Sequence, residues 1–313
     1  MIVLRNLGIV KTNAGERIDI ARQLNLQITK ATSLSLIVGS KEEVRELSLG
    51  LSSFMHREDY VLSGQYLIDA RDFANPLAAQ NRIGLESQVQ VIAPDLLDAF
   101  NPSQSVKVIL KFLIKQRGGV LPTTLSDELQ FLELDESFIS RKIKDISQFD
   151  RVKVLLLLSI LLQVKLLIFE SIETELDDNE SAQLLRILQQ FQINTGACSL
   201  FLTTDLRWAL ESTDAVGVLQ AGVLLEYGSS TELDRKAFHP ITLAMKKQIY
   251  PLTYAPLGCP YSRDCGAKLR VSENLCTTTL PITVSLTDTH VLRCHLSAEE
   301  RAAYYSEVSS DNA

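Results

Sequence analysis

The sequence predicts an α/β core with a largely parallel sheet and a small cysteine-rich extension. Three observations carry this. Over the first 250 residues, short β-rich runs alternate with segments of helical periodicity, the pattern of strands covered by helices. SLSLIV at Ser33–Val38 and KLLIFE at Lys165–Glu170 read as buried central strands. After Pro251, Pro, Cys, Gly and Thr become frequent and helical periodicity stops until Ser297. The chain therefore divides at about residue 250, into a domain over 1–250 and an extension over 251–313.

The elements follow in order. Met1–Val10 reads as a strand, and Leu24–Ile28 as another with alternating apolar positions. Ser33–Val38 ends at Gly39, and Lys41–Met55 is a helix with Val44, Leu47, Leu51 and Met55 on one face. Val89–Ala93 is a strand; Pro94, Asn101 and Pro102 mark a loop before the helix Val106–Ile114. Arg151–Leu162 is a buried helix, Ser181–Phe191 an amphipathic one, and Ala197–Thr203 a strand followed by a short helix from Asp205. Ala215–Leu219 and Val223–Tyr227 form a hairpin around Gly222. Cys198 sits in an apolar strand and is expected in the core.

Composition narrows the function. A net charge of −7 argues against a nucleic-acid binder, which carries a basic face. The longest apolar run, Val154–Phe169, is short for a membrane span and contains Gln163 and Lys165. The opening MIVLRNLGIV lacks the basic–apolar–small pattern of a signal peptide, so the expected setting is the cytoplasm, where disulfides are rare. Glycine is scarce: 14 in 313 residues, against a usual share of about 7%.

Several stretches resemble the ATP-binding cassette of bacterial oligopeptide/dipeptide-type ABC importers. KLLIFESIETELD, Lys165–Asp177, is similar to KLLIADEPTTALD, and Leu200–Leu233 is similar to the family's segment beginning LLLITHDL. AFHPITLAM at Ala237–Met245, LGCPYSRDC and VLRCHL resemble the elements that follow in this branch. The resemblance covers nearly the whole chain in one order. It implies an ABC-ATPase-like, P-loop NTPase nucleotide-binding domain.

The motifs that carry the family's chemistry depart from its pattern. An ATPase needs a phosphate cradle, a Mg²⁺ ligand, a residue to position the attacking water and a γ-phosphate sensor. The phosphate loop, G-x-x-x-x-G-K-[ST], becomes GSKEEVRE, Gly39–Glu46, in which only Gly39 is kept. Arg45 falls on the lysine and Glu46 on the hydroxyl residue. Glu42, Glu43 and Glu46 stand where a triphosphate would lie and would repel it. Their ordinary structural reading is an acidic first helical turn, favourable for the helix dipole. The Q-loop glutamine falls on Pro94, the Walker B aspartate on Glu170, the catalytic glutamate on Ser171 and the switch histidine on Thr204. The signature LSGGQ becomes ISQFD, Ile146–Asp150: Ser147 is kept, and Phe149 is expected to obstruct a partner's γ-phosphate. The D-loop TELD, ending at Asp177, is intact, which fits a chain that still dimerises. No catalytic residue is assigned; Gly39, Arg45, Ser147, Glu170 and Asp177 are remnants of a nucleotide site.

Cys259, Cys265, Cys276 and Cys294 have the spacing C-x5-C-x10-C-x17-C. Four thiolates hold a [4Fe–4S] cluster or tetrahedral zinc, but the tight C-x2–4-C pairs usual for structural zinc are missing. The resemblance implies a [4Fe–4S] cluster, with Cys276 the least regular ligand; zinc and no metal remain as alternatives. His290 and His295 are expected beside the metal or at the surface, His239 in a structural role, and Ser297–Ala313 as a short exposed helix with a loose end.

By resemblance, this is a degenerate subunit that pairs with an intact ATPase paralogue carrying ATP and Mg²⁺. The pair would dock under two membrane permease subunits, fed by a substrate-binding protein, at the cytoplasmic face of the cell membrane. The rivals are a regulatory scaffold using the cluster and a residual ATPase using Arg45 and Glu170.

Overall fold

The computed structural model describes residues 1–13, 16–52, 59–74, 85, 87–250, 255, 257–271 and 274–310. Strands β1 (Ile2–Asn13) and β2 (Glu16–Ile28) pair antiparallel. Strand β3 (Ser33–Ile37) opens a second sheet and leads through Gly39 into helix α1 (Lys41–Ser52). The chain then returns to the first sheet as β4 (Tyr60–Ile68) and β5 (Arg71–Asp72), giving the order β2-β1-β4-β5. Strand β6 (Val89–Ile92) joins the second sheet. A helical segment follows, with α2 (Val106–Gln116), α3 (Ser126–Phe131) and the largely buried α4 (Gln148–Leu162).

Strand β7 (Leu166–Glu170) and helix α5 (Asp178–Thr195) precede β8 (Cys198–Thr203) and α6 (Leu206–Ser212). The hairpin β9 (Ala215–Gln220) and β10 (Val223–Ser229) is followed by α7 (Ser230–Arg235) and α8 (Pro240–Lys246). After residue 250 come α9 (Leu275–Thr278), the short strands β11 (Val284–Ser285) and β12 (Val291–Leu292), and α10 (Ala298–Ser310).

The second sheet runs β11-β12-β10-β9-β3-β8-β7-β6. From β9 to β6 its neighbours are parallel, while β10, β12 and β11 extend it antiparallel. The parallel strands are buried on both faces: Leu36, Ile37, Ile168, Phe169 and Leu202 are each 0% exposed. The sequence did not announce β4 or the first half of β2. Both alternate weakly and stay half-exposed, so they carry little hydrophobic signal. Met55 and His56 lie outside the described residues.

Three cores result. One fills the helical segment between α2, α4 and α5. The second lies between the two sheets. The third packs Ile37, Val216, Leu225 and Ile241 against Cys259 and Tyr261 of the tail. Pairing of β12 with β10 ties the tail to the main sheet. Cys198 is a fully buried core residue, and Trp208 packs on Phe201 with ring centroids 5.2 Å apart. Helix α10 is longer than a frayed tail: Arg301 donates to the Leu296 carbonyl, and Tyr305 donates to the Arg235 carbonyl at 3.3 Å.

Candidate functional site

The carboxyl ends of β3 and β7 carry the residues that match the phosphate loop and Walker B strand. Backbone N–H groups at a helix start attract an anion. In this chain the anion is the protein's own. Ser40 Oγ accepts from Glu43 N at 3.1 Å, and the Glu43 carboxylate folds back to accept from Gly39 N at 3.3 Å. This is a capping-box arrangement, S-x-x-E, reaching one residue further back than usual. A Cβ on Gly39 would lie 3.1 Å from Glu43 Oε1, so the carboxylate sits tight against the loop. Burial pushes the Glu43 carboxyl above its ordinary range, opposed by the Gly39 hydrogen bond and reinforced by Glu42.

Two residues further along, Arg45 Nη1 binds Glu170 Oε2 at 2.7 Å, with side chains 36% and 9% exposed. The pair ties α1 to the end of β7. Burial raises the Glu170 carboxyl, against the lowering pull of Ser48 and Arg45. Glu46 faces elsewhere: it accepts from Lys11 Nζ at 2.7 Å and from the Tyr60 hydroxyl at 2.6 Å. Glu42 is exposed. Of the three carboxylates expected across the phosphate position, Glu43 alone turns onto Gly39. The helical register decides this, since Glu43 is four residues after Gly39 while Glu42 and Glu46 face other ways.

At the position matching the catalytic glutamate, Ser171 adopts a left-handed backbone, φ 44°, and its buried hydroxyl has no partner among the described residues. Next to it, Thr203 Oγ1 donates to Glu173 Oε1 at 2.5 Å. Pro94 opens a 3₁₀ turn over Pro94–Ala99 and is buried. Asp98 on that turn pairs with Arg151 at 2.5 Å. The two remaining remnants are helix caps. Ser147 Oγ accepts from Asp150 N at 3.0 Å at the start of α4, and Asp177 accepts from Glu180 N at 2.8 Å in a full capping box on α5. The expectation for Phe149 needs correcting. Its ring is 6% exposed, packed in the helical core with Lys153 Nζ 4.7 Å from its centroid. Helix α4 is buried over most of its length, so a ring on its first turn packs into the core, not out over a partner's phosphate.

The structure brings the four clustered cysteines together. Cys259, Cys265, Cys276 and Cys294 line one small cavity with His239, Lys268 and His295, and among the described residues no carboxylate lines it. Gly258 makes this closure possible. At φ 69° its missing Cβ would meet the Cys276 carbonyl oxygen at 2.5 Å, and Cys259 N donates to that oxygen at 2.8 Å. Burial, above all, pushes the Cys259 and Cys294 thiols up to about 12. Among the described residues no three His, Cys, Asp or Glu side chains are placed to hold a single metal ion.

The nearby histidines hold the frame. His239 caps α8, its Nδ1 accepting from Ile241 N at 3.1 Å, and burial lowers its pKa to about 4. His290 is not at the surface: it is 3% exposed and pairs with the fully buried Glu226 at 2.8 Å. Glu226 also accepts from the backbone of Phe238 and His239 at 2.7 and 3.1 Å. His295 Nε2 bonds the Thr279 carbonyl at 2.8 Å. Sequence reasoning missed Lys11, Tyr60 and Glu226, whose partners lie on distant segments with no local motif.

No family model matches the chain. Its curated relatives include the oligopeptide transport ATP-binding protein AppF of Bacillus subtilis, 22% identical over 262 residues, 74% of this chain and 77% of that protein. The dipeptide transport ATP-binding protein DppD of Caldanaerobacter subterraneus is 21% identical over 318 residues, 94% of each chain. Among solved structures, cbiO1 of Clostridium perfringens, part of the ABC transporter complex cbiONQ, superposes with a TM-score of 0.62 at 16% identity, over 75% of this chain and 90% of that one. The ADP- and phosphate-bound dimer of the ATP-binding cassette MJ0796 gives 0.59 at 15% identity, over 74% and 99%. The fold is the α/β cassette of ABC ATPases, a P-loop NTPase architecture. In sequence, the chain is a distant homologue of the ATP-binding proteins of oligopeptide and dipeptide transport.

Proposed function

We propose that this chain is a non-catalytic cassette subunit of a peptide-type ABC importer. It pairs with an intact ATPase paralogue, which carries ATP and Mg²⁺, and transmits that partner's motion to two permease subunits. A substrate-binding protein supplies the complex, and the chain sits peripherally on the cytoplasmic face of the cell membrane. Among the described residues no helix is long and apolar enough to cross a membrane, which accords with a peripheral subunit.

One observation carries the non-catalytic reading. The Glu43 carboxylate is bonded to Gly39 N where a phosphate would be held. An incoming triphosphate would have to displace that carboxylate against like-charge repulsion. Arg45, the residue matching the loop lysine, is already paired with Glu170. The retained caps at Ser147 and Asp177 keep the signature and D-loop regions folded for contact with a partner cassette.

In the same proposal the tail holds a [4Fe–4S] cluster on Cys259, Cys265, Cys276 and Cys294. The donor set fits. The buried thiols need a positive centre to become thiolates, and four surround one cavity. Their wide spacing, without the tight pairs usual for structural zinc, favours a polynuclear group. When bound, such a cluster cross-links four segments of the tail and can hold an electron. Gly258 brings Cys259 and Cys276 together, and His239 fixes the helix beside them.

Two measurements test the reading. Titration of the purified chain with Mg²⁺-ATP should show no binding and no turnover. Co-expression with a neighbouring intact cassette and permeases should yield a complex that hydrolyses ATP. Turnover by the chain alone, lost on Glu170→Gln, overturns the non-catalytic reading. Iron and sulfide with a broad visible absorbance after anaerobic purification are expected; equimolar zinc without iron rejects the cluster.

A further inference from the structure

His239 stands where the cassette meets the cysteine module. Its side chain lines the cavity of the four cysteines, and the residue is 1% exposed. Its backbone N–H donates to Glu226 Oε2 at 3.1 Å, which anchors it to β10. The two ring nitrogens do different work. Nδ1 accepts from Ile241 N at 3.1 Å. A backbone N–H only donates, so Nδ1 carries no proton, and the neutral ring holds its hydrogen on Nε2. Nε2 lies 4.0 Å from Cys259 Sγ, the outer reach of a hydrogen bond to sulfur. The helix cap fixes the tautomer, and the tautomer turns an N–H donor towards a cysteine of the cluster.

One acceptor competes. The Arg293 carbonyl, on the residue before Cys294, also stands within reach of the ring. Ionisation of Cys259 tips the balance towards sulfur, because hydrogen bonds to a charged acceptor are shorter and stronger than those to a neutral one. Burial keeps water from taking the sulfur's place. His295, the other histidine on the cavity, is committed elsewhere: its Nε2 bonds the Thr279 carbonyl at 2.8 Å.

We propose that His239 Nε2–H donates to the Cys259 thiolate and raises the reduction potential of the cluster that the four cysteines hold. The inference rests on the cluster reading above. A donor to a ligand sulfur favours the more negative, reduced form. His239 acts through Cys259 and is a positioning residue.

The test uses the full chain, purified anaerobically. Two near-isosteric variants separate the two nitrogens. In His239→Asn the amide oxygen takes the place of Nδ1 and keeps the cap, while nothing replaces Nε2. In His239→Gln the amide nitrogen reaches the place of Nε2, and the cap is lost. Redox titration followed by electron paramagnetic resonance should give a lower midpoint for His239→Asn. At a fixed potential its ratio of reduced to oxidised cluster should fall roughly tenfold, about 59 mV for one electron. His239→Gln should keep the wild-type midpoint potential even as its melting temperature drops. A measurement on the wild type needs no variant to fold: with ¹⁵N-labelled histidine, pulsed resonance of the reduced cluster should show a nitrogen coupling. His295→Asn should retain that coupling. An iron-loaded His239→Asn with an unchanged midpoint, or a wild type with no ¹⁵N coupling, overturns this proposal and leaves the cluster reading standing. A wild type without iron overturns that reading, and this proposal with it.

Discussion

The phosphate loop and the cysteine module answer the same problem, charge at a binding site, in opposite ways. At the loop the protein supplies both signs itself: Glu43 sits on the Gly39 N–H, and Arg45 is matched to Glu170. At the module, four thiols converge around a cavity that no carboxylate among the described residues lines, and burial holds two of them far from ionising. Such donors gain from a metal centre and have little to do without one. A site that closes its own charge balance has stopped asking for a ligand, while one that leaves its donors unmatched still asks. Three substitutions break or sharpen that contrast.

The largest effect is expected from Gly258→Ala. The left-handed φ of 69° costs an ordinary residue about 1–2 kcal/mol, and the new methyl would overlap the Cys276 carbonyl at 2.5 Å. Cys259 and Cys276 must separate. Bound iron after anaerobic purification should fall roughly tenfold or more, while far-UV circular dichroism keeps the cassette signature. Unchanged iron content would mean that the two cysteines need not approach each other.

Arg45→Ala comes next. It strands Glu170, whose side chain is 9% exposed, without its cation. A fully buried pair broken on one side costs about 3–5 kcal/mol. Since 36% of the Arg45 side chain meets solvent, a loss of about 2 kcal/mol is expected, read as a lower urea midpoint at unchanged slope. The double variant Arg45→Met/Glu170→Met should recover most of it, because apolar replacement of both partners removes the stranded charge. If Mg²⁺-ATP were the true partner of this loop, the single variant would instead be rescued by nucleotide.

These contrasts were only partly legible in the sequence. The central strands at Ser33–Val38, Lys165–Glu170 and Ala197–Thr203 are dense apolar runs, and such runs announce themselves. Strand β4 did not, because its side chains are half in solvent. In the loop, loss of the glycines and lysine is visible by position, and the i to i+4 spacing of Gly39 and Glu43 hints at a fold-back. Lys11 and Tyr60, which draw Glu46 away, come from another sheet, and no local pattern forecasts them. Phe149 shows the same limit from the other side. The residue change is plain in the sequence, yet the direction of its ring was set by the helical core. The approach of Cys259 to Cys276 rests on Gly258, whose positive φ is a property of the folded backbone.

The smallest effect expected is also the most diagnostic, that of Glu43→Gln. Burial raises the folded-state pKa of Glu43 above its unfolded value. The native chain therefore binds this proton more tightly than the unfolded chain, and linkage makes stability fall as pH rises through the carboxylate range. That decline begins near the unfolded value, about 4.3, and ends once pH has passed the raised folded value. The amide oxygen introduced by the substitution can still accept from Gly39 N but carries no charge. The variant should therefore match the wild type below pH 4 and exceed it slightly at pH 7, by less than about 1 kcal/mol. Removing the carboxylate charge also removes the strongest local repulsion against phosphate. If Glu43 alone barred the loop, Mg²⁺-ATP binding would appear in this variant. With Arg45 still committed to Glu170, titration should show none, and the joint variant Glu43→Gln/Glu170→Gln, which frees Arg45, is where weak nucleotide binding should first become measurable.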